Sequence, residues 1–329
     1  MAHPETRAVI EAFTEASRVS VAVTYHTYCG AILRPYSYQG DDKMPQQDRD
    51  AYIAFGDAGT REIGYPALSV YEGFTRLLPR VMSGGFDDWA YEERGTFAFT
   101  VELWNVAEAA GVSTPDPAMF HFMGQMSEDD LLTILKWSDA HPHWGGFSPW
   151  QVIEHPQLGP VEVGGWDRMG FWQNPPAERI EAECEKNLPF VRILAESTPL
   201  LKCEEWVVEP LGEDGLWRVS IRVRNDGYLP TSGSEASARQ PDLARVRAAI
   251  ALEGDLECVE GAPNQTCPGL AGYGAIHTGG WADGVNFSGT TAKRSHRFVW
   301  VLRGSGFVTV TVDGARGGMI RKAETLSSP

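Results

Sequence analysis

The stretch VSVAVTY, residues 19–25, constrains this chain more than any other, because its side chains are apolar except at Ser20 and Thr24. A near-continuous apolar strand has no face to offer to water. It belongs inside a sheet covered by helices, as parallel sheets are. The segment before it supplies one such helix. PETRAVIEAFTEAS, residues 4–17, places Pro4 in a first helical turn and Val9, Ile10 and Phe13 on one face. Further helices are expected at about 45–55 and, after SGG, at about 87–94. TFAFTVELWN then alternates Phe97, Phe99, Val101 and Leu103 with Thr96, Ala98, Thr100 and Glu102, the period-two pattern of a strand. MSEDDLLTILKWSDAHP opens with a capping box, Ser127 and Asp130, and stops at Pro142.

A passage rich in Pro and Gly, HPHWGGFSPWQVIEHPQLGPVEVGGWD, marks a boundary. Past one more helix in NPPAERIEAECEKNLPFVRILAEST, short β runs separated by Gly, Asp and Asn take over, among them LWRVSIRVRNDG, HRFVWVLRG and GFVTVTVDG. Regular β runs with turns between them suggest an antiparallel β-sandwich. The expected organisation is α/β over 1–145, a linker with a helix over 146–195, and a β-sandwich over 196–329. With 329 residues, 43% hydrophobic and 22% charged, the chain has material for two cores.

Charge narrows the partners. The formal net charge is −16, from 44 acidic and 28 basic side chains, which argues against nucleic acid and against an anionic membrane surface. No stretch approaches the roughly 20 apolar residues that span a bilayer, and no signal peptide is visible. The compartment, cytoplasmic or secreted, would depend on sequence upstream. Five cysteines lack C-x-x-C spacing; Cys258 and Cys267 either pair across a loop or are free thiols.

Individually, the polar candidates are ambiguous. His26 ends the apolar strand and suits a satisfied core or loop histidine, a metal ligand or a base. Glu102 lies on the Ala98/Thr100 face of its strand, which is either exposed or a site, since burying a carboxylate costs several kcal/mol unless it is paired, protonated or metal-linked. Asp87 and Asp88 fit first-turn acids complementing a helix dipole. Tyr71 reads as a strand aromatic. His141 and His143 read as residues of a helix-end loop.

Together, HPETRAVIEAF, VTYHTYCGAILRPYS, GYPALSVYEGF and SGGFDDWAYEERGTFAFTVELW resemble, in order and spacing over about residues 3–110, the C-terminal half of the catalytic domain of zinc carboxypeptidases of the A/B type. The resemblance implies a partial α/β/α sandwich around a mixed, incomplete sheet. By position it makes His26 a Zn2+ ligand, Glu102 the general base and acid, Tyr71 the mobile tyrosine over the bound C-terminus, and Thr27 and Tyr28 cleft residues. Asp87 falls at the specificity position, where an acid implies preference for C-terminal Lys or Arg. Residues after about 145 are similar to bacterial members that carry a C-terminal β-sandwich, whose implied role is stability or substrate positioning.

The substrate so implied is a peptide or protein C-terminus. The family's H-x-x-E ligands, its oxyanion arginine and its Asn-Arg pair would all lie upstream of the matched blocks. This chain therefore supplies one of three expected zinc ligands, and the N-terminal half of the catalytic domain is a missing partner. A fragment or truncated gene model, inactive alone, is the expectation. The alternative is a non-catalytic peptide- or glycan-binding protein derived from a peptidase fold.

Overall fold

The computed structural model describes residues 3–75, 81–112, 126–212, 215–274 and 293–327. Strands β1 (Val21–Thr27), β2 (Ala31–Arg34), β3 (Ala67–Ser69) and β4 (Phe97–Leu103) form one mixed sheet in the order β1-β4-β2-β3. β1 runs parallel to β4, from Val21 opposite Phe97 to Thr27 opposite Leu103. β2 is antiparallel to β4 and parallel to β3. The alternation read in FAFTVEL is realised: Phe97, Phe99 and Val101 enter a core with Tyr52 and Phe55 of helix α2 (Gln46–Ile63) and Phe190 and Leu194 of the helix Ile180–Glu196. Phe99 meets Tyr52 and Phe190 edge to face, with centroids 5.1 and 5.3 Å apart.

β2 covers β4 only from Thr100 to Glu102, which leaves the Ala98 N–H without a strand partner. The buried Tyr52 hydroxyl accepts it at 3.1 Å. α2 runs eight residues past the expected end, because packing outweighs the glycines that weaken its sequence signal. A Cβ at Gly59 would sit 2.7 Å from both Ile32 Cδ1 and Phe190 Cδ2, so only glycine lets the layers meet there.

β1 departs from the expectation of a fully buried strand. Among the described residues it has a sheet neighbour on one side only, and Val21, Ala22, Val23 and Thr24 are half-buried while Tyr25 and His26 are exposed. Helix α1 (Pro4–Glu15) buries none of its residues fully; Phe13 makes edge contacts with Phe86 and Trp89 of helix α3 (Phe86–Arg94) at 5.3 and 5.7 Å.

Strands β5 (Phe147–His155) and β6 (Gly159–Trp166) form a two-stranded hairpin that exposes Trp150, Val152 and Leu158. Two antiparallel sheets follow. The first contains β7 (Leu201–Pro210), β8 (Leu216–Asn225), β10 (Glu257–Glu260) and β12 (Ser295–Arg303) in the order β10-β12-β8-β7. The second contains β9 (Arg245–Gly254), β11 (Asn264–Pro268), β13 (Gly306–Asp313) and β14 (Met319–Leu326) in the order β11-β9-β13-β14. Ile221, Val223, Phe298 and Trp300 from one sheet share a core with Val246, Val308, Val310 and Val312 from the other. Cys258 on β10 and Cys267 on β11 are free thiols in different sheets, so the pairing left open by the sequence is not formed. Among the described residues no helix is long and apolar enough to cross a membrane.

Candidate active site

The parallel register of β1 and β4 sets His26 opposite Glu102. Both side chains stand on the same face of the sheet, with Thr24 and Thr100 two residues before them. The two threonine hydroxyls are 3.0 Å apart. His26 Nδ1 lies 4.0 Å from Glu102 Oε1, too far for a direct hydrogen bond but close enough for one atom to serve both.

Their surroundings differ sharply. The His26 side chain is 58% exposed and that of Glu102 only 8%. Glu102 therefore lies on a buried face, and the exposed-face reading of its strand is excluded. Its Oε2 is buried without a hydrogen-bond partner among the described residues. Loss of hydration disfavours the ionised form and pushes the carboxyl up to about 7. His26 is not a satisfied core histidine; it faces solvent at the open edge of β1.

The connection from β1 to β2 explains how the pair is held. Because β4 lies between those strands, Tyr28, Cys29 and Gly30 must step over its C-terminal end. Cys29 N–H donates to Trp104 O at 2.9 Å, and Asn105 Nδ2 donates to Cys29 O at 3.0 Å. Gly30 has φ +67°, and a Cβ there would come within 2.9 Å of the Tyr65 ring. The Cys29 thiol is raised by burial and by the Glu102 charge. Tyr28 is buried, and its hydroxyl is raised by burial against the opposing charge of Arg168. Thr27 closes β1 opposite Leu103.

Asp87 and Asp88 do occupy the first turn of α3, yet both are buried rather than solvated at a helix end. Asp88 accepts the Ser37 N–H on both oxygens, at 3.0 and 3.2 Å, and is held up at about 6 by burial and by Asp87. Asp87 is raised by burial. Tyr71 is no strand residue: β3 ends at Ser69, whose Oγ accepts the Glu72 N–H at 3.0 Å and starts a helical turn over Val70–Phe74. The register carries β3 away from Glu102, since it follows β2 antiparallel to β4. No hydrogen bond or ion pair among the described residues joins Tyr71 or Asp87 to His26 or Glu102. His141 ends the helix Glu128–Ala140, places its Nδ1 2.7 Å from Trp137 O and stacks on Trp144 at 4.2 Å, a structural role that fits the helix-end reading.

The threonine pair and Arg168 were missed from sequence. The first had a legible signal, the matched spacing of VTYH and FTVE; Arg168 had none, coming from beyond the β5–β6 hairpin.

The family model of zinc carboxypeptidases matches residues 2–123, and that of a domain of unknown function matches residues 200–325. No curated protein matches the chain. The family binds zinc, so the donor set can be tested against it. Catalytic zinc takes three protein ligands and one open position. Among the described residues no group of three or more His, Cys, Asp or Glu side chains converges, and His26 offers a single exposed imidazole. The described residues do not by themselves fit a zinc ion.

Proposed function

We propose, from the premise that residues 2–123 are zinc carboxypeptidase-like, that this chain carries part of a site that hydrolyses peptides at their C-terminus. One observation supports the reading above the others. A buried carboxyl with a free oxygen, raised to about 7, is held 4.0 Å from an accessible imidazole. A carboxyl poised near neutrality can accept a proton from an attacking water and return it to a leaving amine. Glu102 takes that role. His26 is the metal ligand of this half, and the other donors come from polypeptide outside the described residues. The open edge of β1 is where an added strand would bring them beside His26.

Thr27 and Tyr28 line the substrate cleft, and Asp87 selects a basic C-terminal side chain through charge pairing in a poorly hydrated pocket. Tyr71 keeps its family role of closing over the terminal carboxylate only if its helical turn moves toward Glu102. The incomplete donor set favours a second reading, a non-catalytic peptide- or glycan-binding protein.

The test is hydrolysis of Lys-ending and Phe-ending peptides by the chain co-expressed with a segment carrying H-x-x-E, with zinc supplied. Activity that disappears in Glu102→Gln, with Lys-ending peptides cleaved faster, is the expected result. An inactive assembly, or one indifferent to Glu102→Gln, overturns the enzymatic reading; equal rates on the two peptides discard the role of Asp87.

A further inference from the structure

The segment between β8 and β9, residues 226–244, leaves the sandwich and enters the α/β region. Leu229 belongs to the same core as Phe97 and Phe99, with Tyr228 and Ala236 packed against it. The Tyr228 ring lies 5.5 Å from that of Phe55.

Two buried charges mark the contact. Asp48, on α2, is 2% exposed and accepts three hydrogen bonds. They come from the N–H groups of Glu235 at 2.7 Å and Ala236 at 3.0 Å, and from the Tyr91 hydroxyl of α3 at 2.7 Å. One carboxylate thereby ties α2, α3 and the sandwich segment together. Arg316, between β13 and β14, is 6% exposed. Its Nη1 donates to Gly95 O at 2.9 Å and its Nη2 to Arg94 O. The Ser234 hydroxyl adds a second donor to Gly95 O at 2.7 Å. These carbonyls end α3 and would otherwise be unsatisfied, and a cation suits the negative end of the helix dipole.

The fit leaves no slack. Gly95 has φ +60°, and a Cβ on it would lie 2.4 Å from Ser237 Cβ and 2.6 Å from the Ser237 N. From Gly95 the chain runs directly into β4. Thr96 Oγ1 donates to Val19 O at 2.9 Å and Phe97 N–H to Ser20 O at 2.9 Å, which sets β4 against β1. That is the register that places Glu102 opposite His26.

We propose that the C-terminal sandwich is a clamp that positions α3 and β4, with Arg316 and Asp48 as its positioning residues, and hence holds Glu102 in register with His26. The region of unknown function recognises the end of this chain's own α3. The proposal needs no metal and no activity, so it stands or falls apart from the peptidase reading.

The test uses the full chain and two readouts near the site: amide hydrogen exchange over residues 97–103, and the alkylation rate of Cys29, a buried thiol in the field of Glu102. Loss of a buried charge-assisted hydrogen bond raises local opening about tenfold or more, so both rates rise by that factor in Arg316→Ala. Amides of 219–223 and 308–312 keep their protection. Arg316→Lys, which keeps a cation but not the two-pronged donor, gives a smaller rise than Arg316→Ala, and Arg218→Ala, which removes an exposed arginine paired with Glu209 at 2.8 Å, changes neither readout. Unchanged rates in Arg316→Ala, or equal loss of protection throughout the sandwich, overturn the proposal. Exchange of the unsubstituted chain in low urea gives an independent check, because residues 94–103 and 231–238 must then open together; separate opening also overturns it.

Discussion

Glutamine at position 102 should change how stability depends on pH, and the size of the change follows from burial. The Glu102 carboxyl rises from 4.5 to about 7 because it loses water and gains no partner for Oε2. The folded chain therefore keeps this proton up to about pH 7, whereas the unfolded chain releases it near 4.5. Between those values unfolding releases a proton, so stability falls as pH rises, and the loss is complete above about pH 7. At about 1.4 kcal/mol per pH unit the group removes about 3 kcal/mol. Glu102→Gln keeps the shape and cannot ionise. Urea unfolding of both proteins at pH 4.5 and 8 measures the effect. The stability advantage of the glutamine variant should grow by about 3 kcal/mol between the two. Asp48, Asp87 and Asp88 are also raised by burial, but they are common to both proteins and cancel in the difference. A difference that does not change with pH, or that shrinks toward pH 8, refutes the argument that Glu102 is buried without a partner.

Three further outcomes are expected. The chain on its own, dialysed against trace zinc, should retain less than stoichiometric metal and cleave neither Lys-ending nor Phe-ending peptides; one tightly held zinc per molecule, by atomic absorption, contradicts the donor count. Phe99→Ala removes a fully buried ring packed against Tyr52 and Phe190, and chemical denaturation should report a loss of about 4 kcal/mol. Gly95→Ala forces a methyl into Ser237 at positive φ, and thermal unfolding should show a cost of about 3 kcal/mol; a neutral result would mean that the contact relaxes freely.

What could be read from sequence was mostly local. Alternation in FAFTVEL fixed which side of β4 meets the core, and a carboxylate on so apolar a strand marked Glu102. Ser127 and Asp130 form the capping box that their spacing suggested. Apolar content alone could not tell how many neighbours β1 has; its open edge followed only from the incomplete sheet that the family resemblance implied. Glu72 pairing with Ser69 turned Tyr71 out of the strand, a side-chain cap that pattern does not weigh. The hairpin at 147–166 lay hidden in a Pro/Gly-rich passage that has no strong period. His26 was ambiguous from its residues, because an exposed imidazole and a buried one leave the same trace in a sequence; only the family resemblance pointed to it. Asp48 and Arg316 were beyond reach, since what joins them is the packing of segments far apart along the chain.

The uncovered rim of β1 has a consequence for handling the molecule. Among the described residues no strand pairs with the outer edge of β1, and the N–H and C=O groups along it, beside Val21 and Val23, are a template on which a second molecule can add its own strand. Mutual repulsion between molecules carrying −16 opposes that encounter at low ionic strength. Dissolved salt weakens the repulsion and leaves the sticky rim untouched, so concentrated stocks should cloud as sodium chloride rises, against the usual habit of adding salt to keep a preparation clear.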